Sequence, residues 1–312
     1  MMDVARDLKE NTLKIAYFDC FSGISGDMTL GALVDAGVNP DALNAELAKL
    51  KLDEFTLSFE KVTKHGITGT RAIVKTVEMP PPTVEGEGGA HEHDDSHAES
   101  AADSHETPHH DAHHHHPHNH THEPHHHAHG HGPSRHLSDI FAILDRSELD
   151  EAIIAPVKRI FDRLAEAEAK VHNMPKEQVH LHEVSGIDSI VDIVGAVIGL
   201  HLLGIDEVYA SPLALGSGFV RCAHGLMPVP VPGTMELLRG VPVRQTEIRK
   251  ELVTPTGAAI VTTLARGFGP MPEFIIDRVG YGAGTRDLEE RPNLLRLVIG
   301  EKKTPLRAIR SM

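Results

Sequence analysis

"LKIAYFDCFSGISGDMTLGALVDAG" (Leu13–Gly37) decides the fold class. Its first eight residues form a short apolar run, the pattern of a buried strand. "FSGISGD" follows as a Gly/Ser turn, and "MTLGALVDAG" reads as a helix stopped by Gly37. A strand passing through a turn straight into a helix is an α/β unit. The chain continues in that manner. Pro40 near a start signal predicts a second helix from about Pro40 to Leu50. "FTLSFEKV" and "TRAIVKTVE" alternate like strands around "KHGITG", which predicts a hairpin.

From Pro80 to Pro133 the composition changes completely, to Pro, Gly, Glu, Asp, Ser and dense His. Such a stretch buries too little apolar surface to offset its ordering entropy, and it is expected to be disordered. Order resumes in two amphipathic helices, "SRHLSDIFAILDRS" and "IAPVKRIFDRLAEAEAKVHN". "QVHLHEV" reads as extended, then a helix over about Asp188–Leu203. Strands are expected in "EVYASPLAL", "GSGFVRC" and "VPVRQT". A proline-rich turn, "HGLMPVPVPGT", and a short helix around Met235–Leu238 lie between the last two. "TPTGAAIVTTLA" is a helix, and strands "EFIIDRVGYGAG" and "LLRLVIG" finish the chain. The expected fold is α/β with mixed sheets and interleaved helices, interrupted by the His-rich insert. The expected parts are residues 1–79, the linker 80–133 and a main part 134–312.

The chain of 312 residues carries 30 Lys+Arg against 45 Asp+Glu. That acidic excess excludes nucleic acid and an anionic membrane as main partners and suits cations. The two cysteines, Cys20 and Cys222, cannot build a disulfide framework. "MMDVARDLKENTLKIAYF" lacks a signal-peptide core, and no stretch of about 20 apolar residues could span a bilayer. A soluble, cytoplasmic protein is expected.

Four clusters could carry chemistry. Asp192 lies inside a helix that is apolar nearly all round, one turn after Asp188 and downstream of His180, His182 and Glu183. An unpaired buried carboxylate is costly. Imidazole plus carboxylate suits nickel, zinc, iron or manganese, so these five residues, with His224, are candidate metal ligands. The alternative is structural, with Ser185 or Asp188 capping the helix and Asp192 bonded to buried backbone or Arg. The second cluster, "DCFSGISGDM", sets a Gly/Ser turn at a helix N-terminus. There Ser22, Gly23, Ser25 and Gly26 are candidates for holding a phosphate, and Asp19 and Asp27 for acid–base work. A tight turn with Asp27 as N-cap is the plain alternative. In the third, "LVTPTGAAI", Thr254 is an N-cap before Pro255, and Thr254 and Thr256 can also face a phosphate. The fourth is the block "HHDAHHHHPHNHTHEPHHHAHGHGP" (His109–Pro133). Its irregular, internal placement excludes a tag. His113, His114, His115, His116, His125, His126 and His127 are candidates for weak nickel storage.

These motifs carry a resemblance. "AYFDCFSGISGDMTLGALVDAG", "HLHEVSGIDSIVDIVGA", "GLMPVPVPGT" and "LVTPTGAAI" resemble the LarC nickel-insertion proteins of nickel-pincer cofactor biosynthesis. The resemblance covers nearly all of the chain outside the histidine block. It implies a chelatase-type lyase that inserts Ni(II) into pyridinium-3,5-bisthiocarboxylic acid mononucleotide, forming nickel–sulfur and nickel–carbon bonds. It also implies CTP with Mg(II) or Mn(II), and a client enzyme of the lactate racemase type. Long members continue into a C-terminal domain, to which CTP binding and oligomer assembly are attributed, so a separate C-terminal chain and a homo-oligomer are expected partners. A nickel storage or delivery protein and a metal-dependent phosphohydrolase are the competing readings.

Overall fold

The structure, a computed structural model, describes residues 12–52, 55–76, 135–181, 184, 186–222 and 224–303. The expected disordered insert and its histidines lie outside the described residues. All of these residues belong to one compact unit.

The elements follow in the order β1 (Thr12–Asp19), α1 (Gly26–Asp35), α2 (Pro40–Ala48), β2 (Phe55–Lys64), β3 (Ile67–Thr76), α3 (Leu137–Asp145), α4 (Glu151–His172) and α5 (Ile187–Leu202). Then come β4 (Glu207–Ala210), β5 (Leu213–Leu215), β6 (Phe219–Cys222), β7 (Gly225–Pro228), α6 (Pro232–Leu237), β8 (Val243–Gln245), α7 (Pro255–Leu264), β9 (Ala265–Phe268), β10 (Ile275–Ala283) and β11 (Leu294–Lys303). Seven strands form one mixed sheet in the order β2-β3-β10-β11-β1-β4-β9. β1 is its pivot, antiparallel to β11 and parallel to β4. Strands from both sides of the insert therefore share one sheet.

Three expectations change. The proline-rich turn contains a strand, β7, which pairs with β6 as a hairpin. β9 extends the sheet directly from the end of α7, where no Gly or Pro marks a break. The described residues of "QVHLHEV" hold no strand: a 3-10 turn at Lys176–Gln178 ends at its first residue, and His180 makes one isolated bridge with His136.

Alternation along β1 sorts its side chains. Ala16 and Phe18 face the helices and join the main core. Tyr17 and Asp19 face the other side, where they line a cavity of about 310 Å3 with Tyr281, Arg296 and Val298. α1 lies directly on β3, β10 and β11, and α5 packs beside it against α1, α2, α4, α7 and strand β3. Surrounded by four helices and a strand, α5 has to be apolar nearly all round. Among the described residues no helix is long and apolar enough to cross a membrane.

The approach of α1 to the sheet depends on missing side chains in β10. A Cβ on Gly282 would fall 1.7 Å from the Met28 carbonyl oxygen. That atom is backbone and cannot swing aside. Gly282→Ala should therefore destabilise the protein by about 3 kcal/mol, the upper end of ordinary overpacking costs. Chemical denaturation checks this, and an unchanged midpoint would contradict the packing described.

Candidate metal and phosphate site

The carboxyl end of β1 runs into a turn that is clamped from the side. Ile24 N–H donates to the Leu252 carbonyl (2.9 Å), and Thr254 N–H donates to the Ile24 carbonyl (3.1 Å). Gly23 has φ +91°, and any Cβ there would lie 1.9 Å from the Leu252 oxygen. The clamp fixes where two helices begin. α1 starts at Gly26 with Ser25 as N-cap. α7 starts at Pro255, with the Thr254 hydroxyl accepting from Gly257 N–H (3.2 Å). Gly257 abuts Ile24 and Ser25, so the two N-termini stand side by side.

α5 brings a third. A Cβ on Gly26 would meet Asp192 at 2.3 Å, one on Gly195 would meet Leu30 at 2.8 Å, and one on Gly199 would meet Leu33 at 2.9 Å. The pairs advance together along both helices, so α1 and α5 run parallel and their N-termini lie at the same end. Unpaired N–H groups and helix dipoles make that end favourable for negative charge.

Three carboxylates gather there. Asp27 is the second residue of α1, not its N-cap. Its Oδ1 accepts from the Ser25 hydroxyl and from Met28 N–H (2.8 Å). Asp188, exposed, folds back over Gly186, which is the N-cap of α5 and offers no side chain for capping. Asp192 keeps some solvent exposure, but its Oδ1 is buried with no hydrogen-bond partner. Burial, followed by the charges of Asp27 and Asp188, pushes the Asp192 carboxyl well above its ordinary range. Burial also raises Asp27, against the lowering effects of its hydrogen bonds and of Arg286. The structural alternative for Asp192 is a bond to buried backbone or Arg, and at Oδ1 there is none. A divalent cation would satisfy that oxygen and relieve the repulsion together.

A basic rim adjoins the acids. Arg244 and Arg291 both donate to the Phe21 carbonyl, at 3.2 and 3.1 Å. Arg286 donates to the Glu251 carbonyl (3.1 Å) and is close enough to act on Asp27. Sequence reasoning missed these arginines. They come from β8 and from the β10–β11 loop, more than 220 positions from the turn, and no local pattern marks them. Adjoining helix N-termini, two guanidiniums and adjacent carboxylates can take a phosphate and a cation together.

The other predicted residues are dispersed. Asp19 pairs with Arg296 and faces the side of the sheet away from Phe18, so it does not share a site with Asp27. The Ser22 hydroxyl donates to the Pro292 carbonyl (2.8 Å), and the Thr254 and Thr256 hydroxyls bond each other (2.9 Å). His180 stacks on His136, with ring centroids 3.9 Å apart. His224, in the β6–β7 turn, lies 5.0 Å from the His172 ring. His182 and Glu183 lie outside the described residues, as do His113–His116 and His125–His127. Among the described residues no group of three or more His, Cys, Asp or Glu side chains is arranged to hold a metal ion. Of the six ligands expected from sequence, His180, Asp188, Asp192 and His224 lie among the described residues.

The nickel insertion protein family matches residues 16–310. The chain belongs to that family. It is 47% identical over 289 residues to the pyridinium-3,5-bisthiocarboxylic acid mononucleotide nickel insertion protein of Desulfitobacterium hafniense (strain DSM 10664 / DCB-2). That match covers 93% of this chain and 59% of the relative. The protein of the same name from Geobacillus kaustophilus (strain HTA426) is 45% identical over 290 residues, covering 93% of this chain and 60% of the relative. The chain thus spans about six-tenths of the length of these relatives. No solved structure matches it.

In this nickel insertion family member the raised Asp192 carboxyl has a direct consequence for stability. The folded state retains a proton that the unfolded chain releases near pH 4. The associated stability is full below that pH and is lost as pH rises through the higher folded value. Metal-free Asp192→Asn and wild-type protein should therefore differ little at pH 4. The variant should become progressively the more stable as pH rises. Melting temperatures across pH 4–8 check this, and a variant that loses ground with rising pH would contradict it.

Proposed function

We propose that this chain is the nickel-handling part of a machinery that inserts Ni(II) into pyridinium-3,5-bisthiocarboxylic acid mononucleotide. The observation that carries the reading is the buried, unpartnered Oδ1 of Asp192, set beside Asp27 and Asp188 where three helices begin. The substrate's two thiocarboxylate sulfurs and one ring carbon would supply three donors to nickel. An inserting protein then has to hold the ion loosely and at open positions, as catalytic metal sites do. A loose carboxylate hold suits that need better than a closed ligand set.

In this reading the turn Ser22–Gly26, with Arg244 and Arg291, takes the mononucleotide phosphate. Asp192 and Asp188 hold Ni(II) against the sulfurs. As the nickel–carbon bond forms, the proton leaving that carbon passes to Asp27, whose raised affinity for protons suits a base. The histidine block serves as a reservoir. CTP, with Mg(II) or Mn(II), acts together with the additional length found in the relatives, supplied as a further segment or chain, and the product goes to a client enzyme.

Reconstitution tests this. Chain, Ni(II), substrate and CTP, with the additional segment present, should yield the nickel–carbon product. Asp27→Asn should lower its rate by about 100-fold, the lower range for loss of a general base. Arg291→Gln should weaken substrate binding in a salt-dependent way and leave nickel affinity unchanged. Product formation unaffected by Asp27→Asn would overturn the assignment of the base. Nickel bound and stored with no product would favour a storage or delivery protein.

A further inference from the structure

A second pair of metal-ligating side chains lies outside the carboxylate cluster. His136 precedes α3 and His180 follows the 3-10 turn, and the two residues form an antiparallel bridge. Their rings approach to 3.9 Å between centroids, tilted by 41°. Both stand at the surface, His180 exposed and His136 half-buried, on the buried supports Val179 and Leu181.

The local bonding prepares His136 as a ligand. Asp139 accepts from its backbone N–H (2.9 Å). Its ring Nδ1 lies 3.2 Å from the Val179 carbonyl. A carbonyl only accepts, so in the tautomer that makes this bond Nδ1 donates and Nε2 is left to face a metal. A histidine held by one ring nitrogen and offering the other is the usual arrangement behind a metal-bound imidazole. Sequence supplies the context: His136 follows the histidine block within four residues of Pro133, and His180 precedes Asp188 by eight.

We propose that His136 and His180 form a two-imidazole surface site for a borderline divalent cation, Ni(II) in this protein, at which ions leaving the histidine block dock before reaching the carboxylates. Imidazole pairs select such ions over Mg(II) or Ca(II). Two ligands leave the remaining coordination positions to water, so the ion stays exchangeable, as a transfer step requires. The choice of nickel and the direction of transfer rest on the proposed function; the binding site itself does not.

The test uses the full-length chain with the histidines between His91 and His131 replaced by asparagine, so that the reservoir does not mask other sites. In that background Ni(II) alone is titrated, without substrate. His136→Ala and His180→Ala should each weaken one exchangeable site by at least about tenfold, and the double variant should be no worse than either single one. Asp192→Asn should leave this site unchanged. His180 is exposed, so its variant keeps the test decisive should His136→Ala fail to fold. Unchanged nickel binding in folded His180→Ala would overturn the proposal. Retention of the two-histidine site in a protein that forms no nickel–carbon product would instead overturn the proposed function and leave this site standing.

Discussion

Helices α1 and α5 lie as close as they do because glycine stands at each step of their seam. Gly26 faces Asp192, Gly195 faces Leu30, and Gly199 faces Leu33. Any Cβ at these places would meet atoms already there. This one constraint sets the parallel course of the two helices and brings their N-termini to the carboxyl end of β1. It also explains why a carboxylate sits inside an apolar helix. Asp192 is the first member of the seam, and it opens toward the turn while the rest of α5 is enclosed by helices and β3.

The electrostatics follow from that placement. Carboxylates at helix N-termini are favoured by the dipoles, commonly by a few tenths to about 1 kcal/mol each. Desolvation and mutual repulsion among Asp27, Asp188 and Asp192 work in the opposite direction, and they win at Asp192, whose carboxyl is pushed up. The surrounding core holds these carboxylates together against that repulsion. The arginine rim on Phe21 gives the neighbouring turn the opposite sign, so cation and anion preferences adjoin without cancelling.

Much of the fold was legible in the sequence because periodicity carried it. The strand–turn–helix at Leu13–Gly37, the hairpin β2–β3 and the N-cap of α7 at Thr254 all have local signals. The β6–β7 hairpin was hidden because Pro228 and Pro230 mask a four-residue strand as a turn. The turn motif and Asp192 stood out by chemistry, as a carboxylate among branched aliphatics and as clustered glycines. What joins them did not. Gly26 read as a loop residue serving a phosphate, yet its missing side chain first of all admits Asp192. Asp19 and Asp27 looked alike in sequence, but strand alternation sends Asp19 to Arg296 on the other side of the sheet. The arginines of the rim and the partner of His180 come from distant segments, and only the tertiary fold brings them in.

The most direct measurement is the affinity of the proposed tight nickel site in Asp192→Asn, in protein shown by its melting to be folded and with the block histidines replaced so that weak binding does not intrude. Amide for carboxylate keeps the shape of the seam and removes the charge. We expect tight Ni(II) binding to fall by about 10- to 100-fold. Unchanged tight binding in the folded variant would contradict the central claim, and would leave Asp192 as a strained structural residue of the α1–α5 seam.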